Sequence, residues 1–465
     1  MIAETALVHT ALFLAIWLAS ILAFAVAFAT RIEVAWFVVD AILVTLASAL
    51  VWWRRDRLGF SVLGARKWLK LALIVAVGMG SVLCCWAAIR DWNMVALDES
   101  NYLLTLREER IIPDGLLPFN IRWLVPFFAG RWNILPVADM DAIKAINFGA
   151  FVVTAVGLIL LLIRLGVRPG LAIAAPVFLL SSYFGIYGAS NRLVLDPANY
   201  ALYVLLFHAL VRREHWPYFS IILLVDAFNA EKAVYWIPVF VFVHLLHAAA
   251  PGGKWTKAAL VDVAKTSAMC LAPTLIYLLV LWIYLAPSRL EANLCFENIH
   301  HMSFTNLRGA ITDNVRSNNF QTLWMPFGPF TVFALLGFAL DARRWMKPIV
   351  LLVLPIFVQA VIACDTDRML AYAFIVYLPF GYLYLQRMSR ELPRALWLAF
   401  FGAFLVLTVA EHYLFPVAQQ LRWHLPLHAN VMKMVLSALE IALVAGTLFL
   451  HFTFFRAPRD QRDHR

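Results

Sequence analysis

Residues 143–163, IKAINFGAFVVTAVGLILLLI, carry a single charged side chain, Lys144. A run this long and this apolar matches the roughly 20 residues a helix needs to cross the hydrocarbon of a bilayer. Arg164 and Arg168 follow it at once. On the other side lies 91–141, which is rich in ionisable residues: Asp98, Glu99, Arg107, Glu108, Glu109, Arg110, Asp114, Arg122 and Arg131. An apolar run flanked by a basic edge and a long polar stretch predicts a transmembrane helix with its two ends on different sides.

The same reading extends along the chain. Of its 465 residues 63% are hydrophobic and 14% charged, and mean hydropathy is +0.79. No soluble domain hides that much apolar surface, so the composition predicts an all-α polytopic membrane protein. About fourteen hydrophobic segments pass the length rule, or about 13–14 transmembrane helices depending on how the short 216–228 segment is counted. They run 7–29, 34–53, 69–89, 143–163, 170–189, 197–211, 216–228, 233–250, 258–286, 326–340, 348–363, 369–386, 395–415 and 431–455. This organisation divides the chain into two N-terminal helices (1–68), a central module (69–415) with polar loops at 90–142 and 287–325, and a last helix with a basic tail (416–465).

The net charge of +10 does not point to nucleic acid. Its Lys and Arg sit in short clusters between apolar runs, as the positive-inside rule places them. Arg54, Arg55, Arg57, Arg66 and Lys67, Arg164 and Arg168, Arg212 and Arg213, Lys254 and Lys257, Arg343, Arg344 and Lys347, and Arg387, Arg390 and Arg394 fall on one side if the spans alternate. That side is the cytoplasm, with both termini there. The short basic loops suit a bacterial inner membrane. Residues 7–29 lack a basic leader and predict a span, not a cleaved signal. The five cysteines form no CxxC or zinc spacing.

The charges left on the opposite face are the candidate chemistry, because ionisable groups at membrane depth are costly and usually kept for a role. Asp98 and Glu99 open an amphipathic stretch, Ser100 to Arg110. A carboxylate there suits a general base, and equally a helix N-cap. Arg122 lies between Pro118 and Pro126 among large apolar residues, a turn that presents a guanidinium to phosphate or anchors the loop by snorkelling. Arg192 and Asp196 precede Pro197 at the start of a span; Asp196 is either an N-cap or a second acid of one cavity. Glu231 and Lys232 follow a segment too short to cross alone, which predicts a charged tip inside the protein, as a structural ion pair or a working site. Asp367 and Arg368 close the cluster Cys364–Arg368, where Arg368 suits a lipid phosphate and the acids suit a cap. His300 and His301 suit hydrogen-bond donation to a diphosphate or sugar, or a plain surface; no HxxxH or HExxH spacing supports zinc. His208, Asp226 and Glu411 are apolar-segment charges without an assigned role.

In this order, Leu97-Asp98-Glu99-Ser100-Asn101-Tyr102, Asn120 to Pro126, Asn229 to Pro238, and Asp367-Arg368 before a span containing Pro379 resemble the GT-C superfamily of polyprenyl-phosphate-dependent membrane glycosyltransferases. The resemblance covers roughly 69–415. It implies amphipathic helices in the first long extracytoplasmic loop, Asp98 or Glu99 as base, and Arg122, Arg192, Asp196, Glu231, Lys232, His300, His301, Asp367 and Arg368 as substrate-binding residues. It further implies a polyprenyl-phosphate sugar donor drawn from the membrane lipids, and a glycan, lipid or protein acceptor. No cofactor is implied, with a divalent metal left open. Two departures stand out: the acidic loop follows the third span instead of the first, and Ala230 occupies the family's lysine position with Lys232 after the glutamate. Competing readings are a transporter or lipid flippase, a cell-envelope polysaccharide polymerase, a membrane acyltransferase using His208, and a catalytically silent relative.

Overall fold

The computed structural model describes residues 73–82, 124–125, 139–181, 185, 195–248, 256–284, 327–341, 343–362, 370–409 and 426–454. Among them every regular element is helical and no strand occurs, so the all-α expectation holds. The elements are α1 (Leu73–Val82), α2 (Asp139–Arg164), α3 (Pro169–Ala172), α4 (Ala175–Ser181), α5 (Asp196–Leu210), α6 (Trp216–Asn229), α7 (Trp236–Ala248), α8 (Lys257–Tyr284), α9 (Phe330–Leu340), α10 (Val353–Ile362), α11 (Phe374–Glu391), α12 (Arg394–Val409) and α13 (Pro426–Phe454). Two stretches, Ile143–Arg164 and Lys257–Val280, are long and apolar enough to cross a membrane. The segments expected at 7–29 and 34–53 lie outside the described residues.

Proline sets several boundaries. Pro169, Pro197 and Pro217 sit in the first turns of α3, α5 and α6, where a missing N–H is harmless. The expected single segment 170–189 is instead two short helices separated at 173–174. Pro176 accounts for the break: its ring would crowd the carbonyl four residues earlier, so a continuous helix cannot pass through it. The expected 348–363 segment likewise begins as a 3-10 stretch, Arg344–Leu352, with Pro348 inside, before α10 takes over.

The chain forms two compact units. The first holds the described residues within Met1–Leu161, Tyr187–Ile237 and Ala264–His301. Here α5 and α6 form an antiparallel pair, turned by an extended Arg212 and a 3-10 turn at Arg213–His215. Glycine lets neighbours approach α2 closely: a Cβ on Gly157 would lie 2.8 Å from Val204 Cγ1, and one on Gly78 would lie 2.6 Å from Val156 Cγ2. The His208 ring meets the Gly157 carbonyl at 2.8 Å, tying α5 to α2. On the other flank Phe228 packs edge-on against Tyr277 of α8, centroids 4.5 Å apart.

The second unit holds the described residues within Leu162–Ile186, Pro238–Val263 and Met302–Arg465. Gly166, with φ of 84°, ends α2: its N–H donates to Ile163 O and that of Val167 to Leu162 O, both at 2.9 Å. This is the Schellman arrangement, which needs a residue comfortable at positive φ. The loop is then held by others. Gln386 donates to Gly166 O at 2.7 Å and accepts from the Arg168 N–H, while Arg343 donates to Leu165 O at 2.8 Å. An aromatic core lies elsewhere in this unit, with Phe178 stacked on Phe404 at 4.7 Å and Phe330 and Phe333 packed around the same ring.

The tightest pairing in this unit is α9 against α11. Gly337 faces the backbone of Phe380, and Gly381 faces the ring of Phe330. A Cβ on Gly337 would fall onto the Phe380 carbonyl, 2.7 Å from its carbon, so backbone would have to move. Gly337→Ala is therefore expected to lower stability by about 1–3 kcal/mol. Gly402→Ala in α12, where a Cβ meets nothing within 4 Å, is expected to leave stability unchanged or raise it by up to ~1 kcal/mol. Thermal unfolding of the two detergent-solubilised variants, followed by circular dichroism, checks the contrast.

Candidate functional site

The site is built where α5 begins and α6 ends, within the first unit. Asp196, Asn199 and Tyr203 recur at spacings of three and four along α5 and so share one face. Asp196 is also in the first helical turn, where a carboxylate is favoured by the helix dipole. Asp226 and Asn229 lie one turn apart at the end of α6. Ala230, extended at φ −159° and ψ 147°, stops the helix. A 3-10 turn, Glu231–Tyr235, then carries the chain into α7.

That break lets Lys232 fold back onto the start of α5. Its ammonium donates to Asp196 Oδ1 at 3.3 Å, with the two side chains 1% and 2% exposed. Asn229 donates through Nδ2 to Asn199 Oδ1 at 2.7 Å and to Leu195 O at 3.3 Å. The Tyr203 hydroxyl donates to the Lys232 carbonyl at 3.1 Å, and its ring packs edge-on against Trp236 at 5.4 Å. Asp226 and Asn229 are fully buried, whereas Glu231 is half-buried. Among the described residues neither oxygen of Asp226 and not Oδ1 of Asn229 has a hydrogen-bond partner. So much buried polarity in so apolar a chain is costly unless it is paired or used.

Three of the residues singled out in the sequence are described here. Asp196 and Lys232 meet as an ion pair although 36 positions apart. Asp98, Glu99, Arg122, Arg192, His300, His301, Asp367 and Arg368 lie outside the described residues. The stretch around Arg122 is nonetheless represented by Val125, which is buried in one cluster with Ile143, Leu195 and Ala198. The residue just before Asp196 thus belongs to the same buried cluster as Val125. Asn199 and Tyr203 were not legible as site residues, because inside an apolar run they look like ordinary helix positions. Asp226 was visible as a charge but had no partner in sequence. His208 is engaged by the Gly157 carbonyl. No group of three or more His, Cys, Asp or Glu suited to a metal occurs among the described residues.

Comparison with protein-family models, with curated proteins and with solved structures finds no match.

Removing one member of a buried ion pair leaves the other charge without compensation, a loss of roughly 3–5 kcal/mol. Lys232→Met and Asp196→Asn are each expected to destabilise on that scale. The double variant should fall short of their sum by more than ~1 kcal/mol, which a double-mutant cycle on unfolding midpoints reads directly. Strict additivity would mean that the pair does not hold the site together.

Proposed function

We propose that this chain is a multi-spanning membrane glycosyltransferase that takes a sugar from a polyprenyl-phosphate donor and passes it to a glycan, lipid or protein acceptor outside the cytoplasm. One observation carries the reading. Two stretches that resemble GT-C motifs, 120–126 and 229–238, have described members that both come to the charged turn 191–197: Val125 shares a buried cluster with Leu195, and Asp196 next to it pairs with Lys232. A many-helix membrane architecture of about 13–14 spans is the setting. It is supported by the two long apolar helices and by the outward aliphatic face of α8, where Leu275, Ile276, Leu279, Val280 and Ile283 are each 48% or more exposed. Such a contiguous face suits lipid and not water. Basic residues Arg168 and Arg343 also come to one end of the second unit through their contacts with Gln386 and Leu165, as a cytoplasmic rim would require.

In this mechanism the acceptor hydroxyl gives its proton to Asp98, or to Glu99, as its oxygen bonds to the anomeric carbon. The bond from that carbon to the phosphate oxygen breaks, and the polyprenyl phosphate leaves with the electron pair. Charge grows on the phosphate, so cations must be fixed beforehand to stabilise it. Lys232, Arg192 and Arg368 fill that role, with Arg122 near the interface, Glu231 and Asp367 orienting the cations, and His300 and His301 donating to the donor. Lys232 is held by Asp196 until an incoming phosphate competes for its ammonium. No cofactor enters.

A transporter or flippase is the second reading, favoured by the helix interruption between Asn229 and Trp236 beside a buried ion pair, a pattern that membrane carriers use at their binding sites. Purified protein in nanodiscs with radiolabelled polyprenyl-phosphate sugar separates the two. Product formed without any gradient is expected, with Asp98→Asn or Glu99→Gln reducing turnover about 10²–10⁴-fold while the protein remains folded. Full activity in both single variants and in the double would overturn the base assignment. Gradient-dependent flux without product would favour the carrier.

A further inference from the structure

Beside the Asp196–Lys232 pair, Asp226 and Asn229 carry buried acceptors without donors among the described residues. Asn229 has committed both hydrogens of its amide nitrogen, to Asn199 Oδ1 and Leu195 O, so its oxygen side is fixed as an acceptor facing away from them. Among the described residues that Oδ1 has no donor, and the same is true of Asp226 Oδ1 and Oδ2, one turn earlier on the same helix. Both side chains are 0% exposed, so bulk water does not serve them.

Charge points the same way. Lys232 bonds Asp196, so Asp226, a fully buried carboxylate, feels that ammonium only at longer range together with the opposing charge of Glu231. The end of α6 adds the negative pole of a helix at that point. Three hard oxygen acceptors, two of them on a carboxylate without a hydrogen-bond partner, and full burial call for a small cation. A sugar needs room that these fully buried atoms do not offer, and a water molecule would supply donors without the missing charge. No group of three or more His, Cys, Asp or Glu occurs among the described residues, and a single carboxylate is too little for a divalent ion.

We propose that Asp226 and Asn229 form a binding site for a monovalent alkali cation, of which sodium is the probe, at the C-terminal end of α6. The ion takes Asp226 Oδ1 and Oδ2 and Asn229 Oδ1, and completes its shell with last-turn carbonyls of that helix. By neutralising Asp226 it keeps Lys232 on Asp196 and holds the interrupted helix in place. The site stands apart from the reading of the reaction, since its test needs no sugar donor.

The test uses the full chain in nanodiscs. Saturable binding of radioactive sodium is expected, displaced by unlabelled sodium chloride but not by choline chloride. The unfolding midpoint should be higher in sodium chloride than in choline chloride at equal ionic strength. Asp226→Asn should abolish both effects, and Asn229→Ala should raise the half-saturating sodium concentration at least fivefold. If Asp226→Asn fails to fold, binding to the unaltered protein decides alone, and its absence overturns the site. So does sodium binding that survives Asp226→Asn. A midpoint that follows pH but is indifferent to sodium would assign the neutralising role to a proton and would also overturn it.

Discussion

A lysine ammonium and an aspartate carboxylate, both out of reach of water, make the constraint on which the first unit depends. In a low-dielectric interior neither is tolerable without the other. Their meeting fixes three things at once: where α5 starts, where α6 must stop, and how the 3-10 turn after it is wound. A shift of one residue along either helix would swing a side chain by about 100° around its axis, since 3.6 residues complete a turn. The pair therefore acts as a register lock. Asn229 and Tyr203 strengthen it by bonding backbone on the neighbouring element, Leu195 O in one case and Lys232 O in the other.

The second unit is held by different means. Its closest approach, α9 on α11, is made by removing side chains where backbones meet, at Gly337 and Gly381. Small residues at such crossings are the usual solution where apolar surroundings give helices little hydrophobic reason to associate. Around that crossing, aromatic rings fill the volume, with Phe330 and Phe404 each against both Phe178 and Phe333. At one end of this unit a turn is fastened by polar groups, Gln386 and Arg343 satisfying carbonyls that a helix end leaves exposed. Buried polar groups also occur along its helices, among them His244, which meets Asp262 at 3.5 Å, and Glu440.

Most of the described helices were legible beforehand. The 258–286, 197–211 and 395–415 segments reappear as α8, α5 and α12 with ends shifted by a few residues. Apolar length and proline position, both local properties, are enough for that. Where the expectation was coarse, at 170–189 and 348–363, the information was also local: Pro176 and Pro348 interrupt helices that hydropathy alone joins together. The site was legible only as scattered charges. Asp196 and Lys232 each carried two readings, and the acid–base candidates Asp98 and Glu99 lie in a stretch outside the described residues.

The sequence by itself determined that the described segments are helical, that the chain is apolar along most of its length, and that its charges gather in two long polar stretches and at short turns, because those properties depend on neighbours along the chain. Only the tertiary structure decided that Lys232 answers Asp196, that Val125 and Leu195 join one buried cluster, and that Asp226 and Asn229 hold unanswered oxygens in the interior. Such choices join positions tens of residues apart, and they are settled by burial: once water is excluded, each charge must take whatever partner the packing of helices brings within a few ångströms.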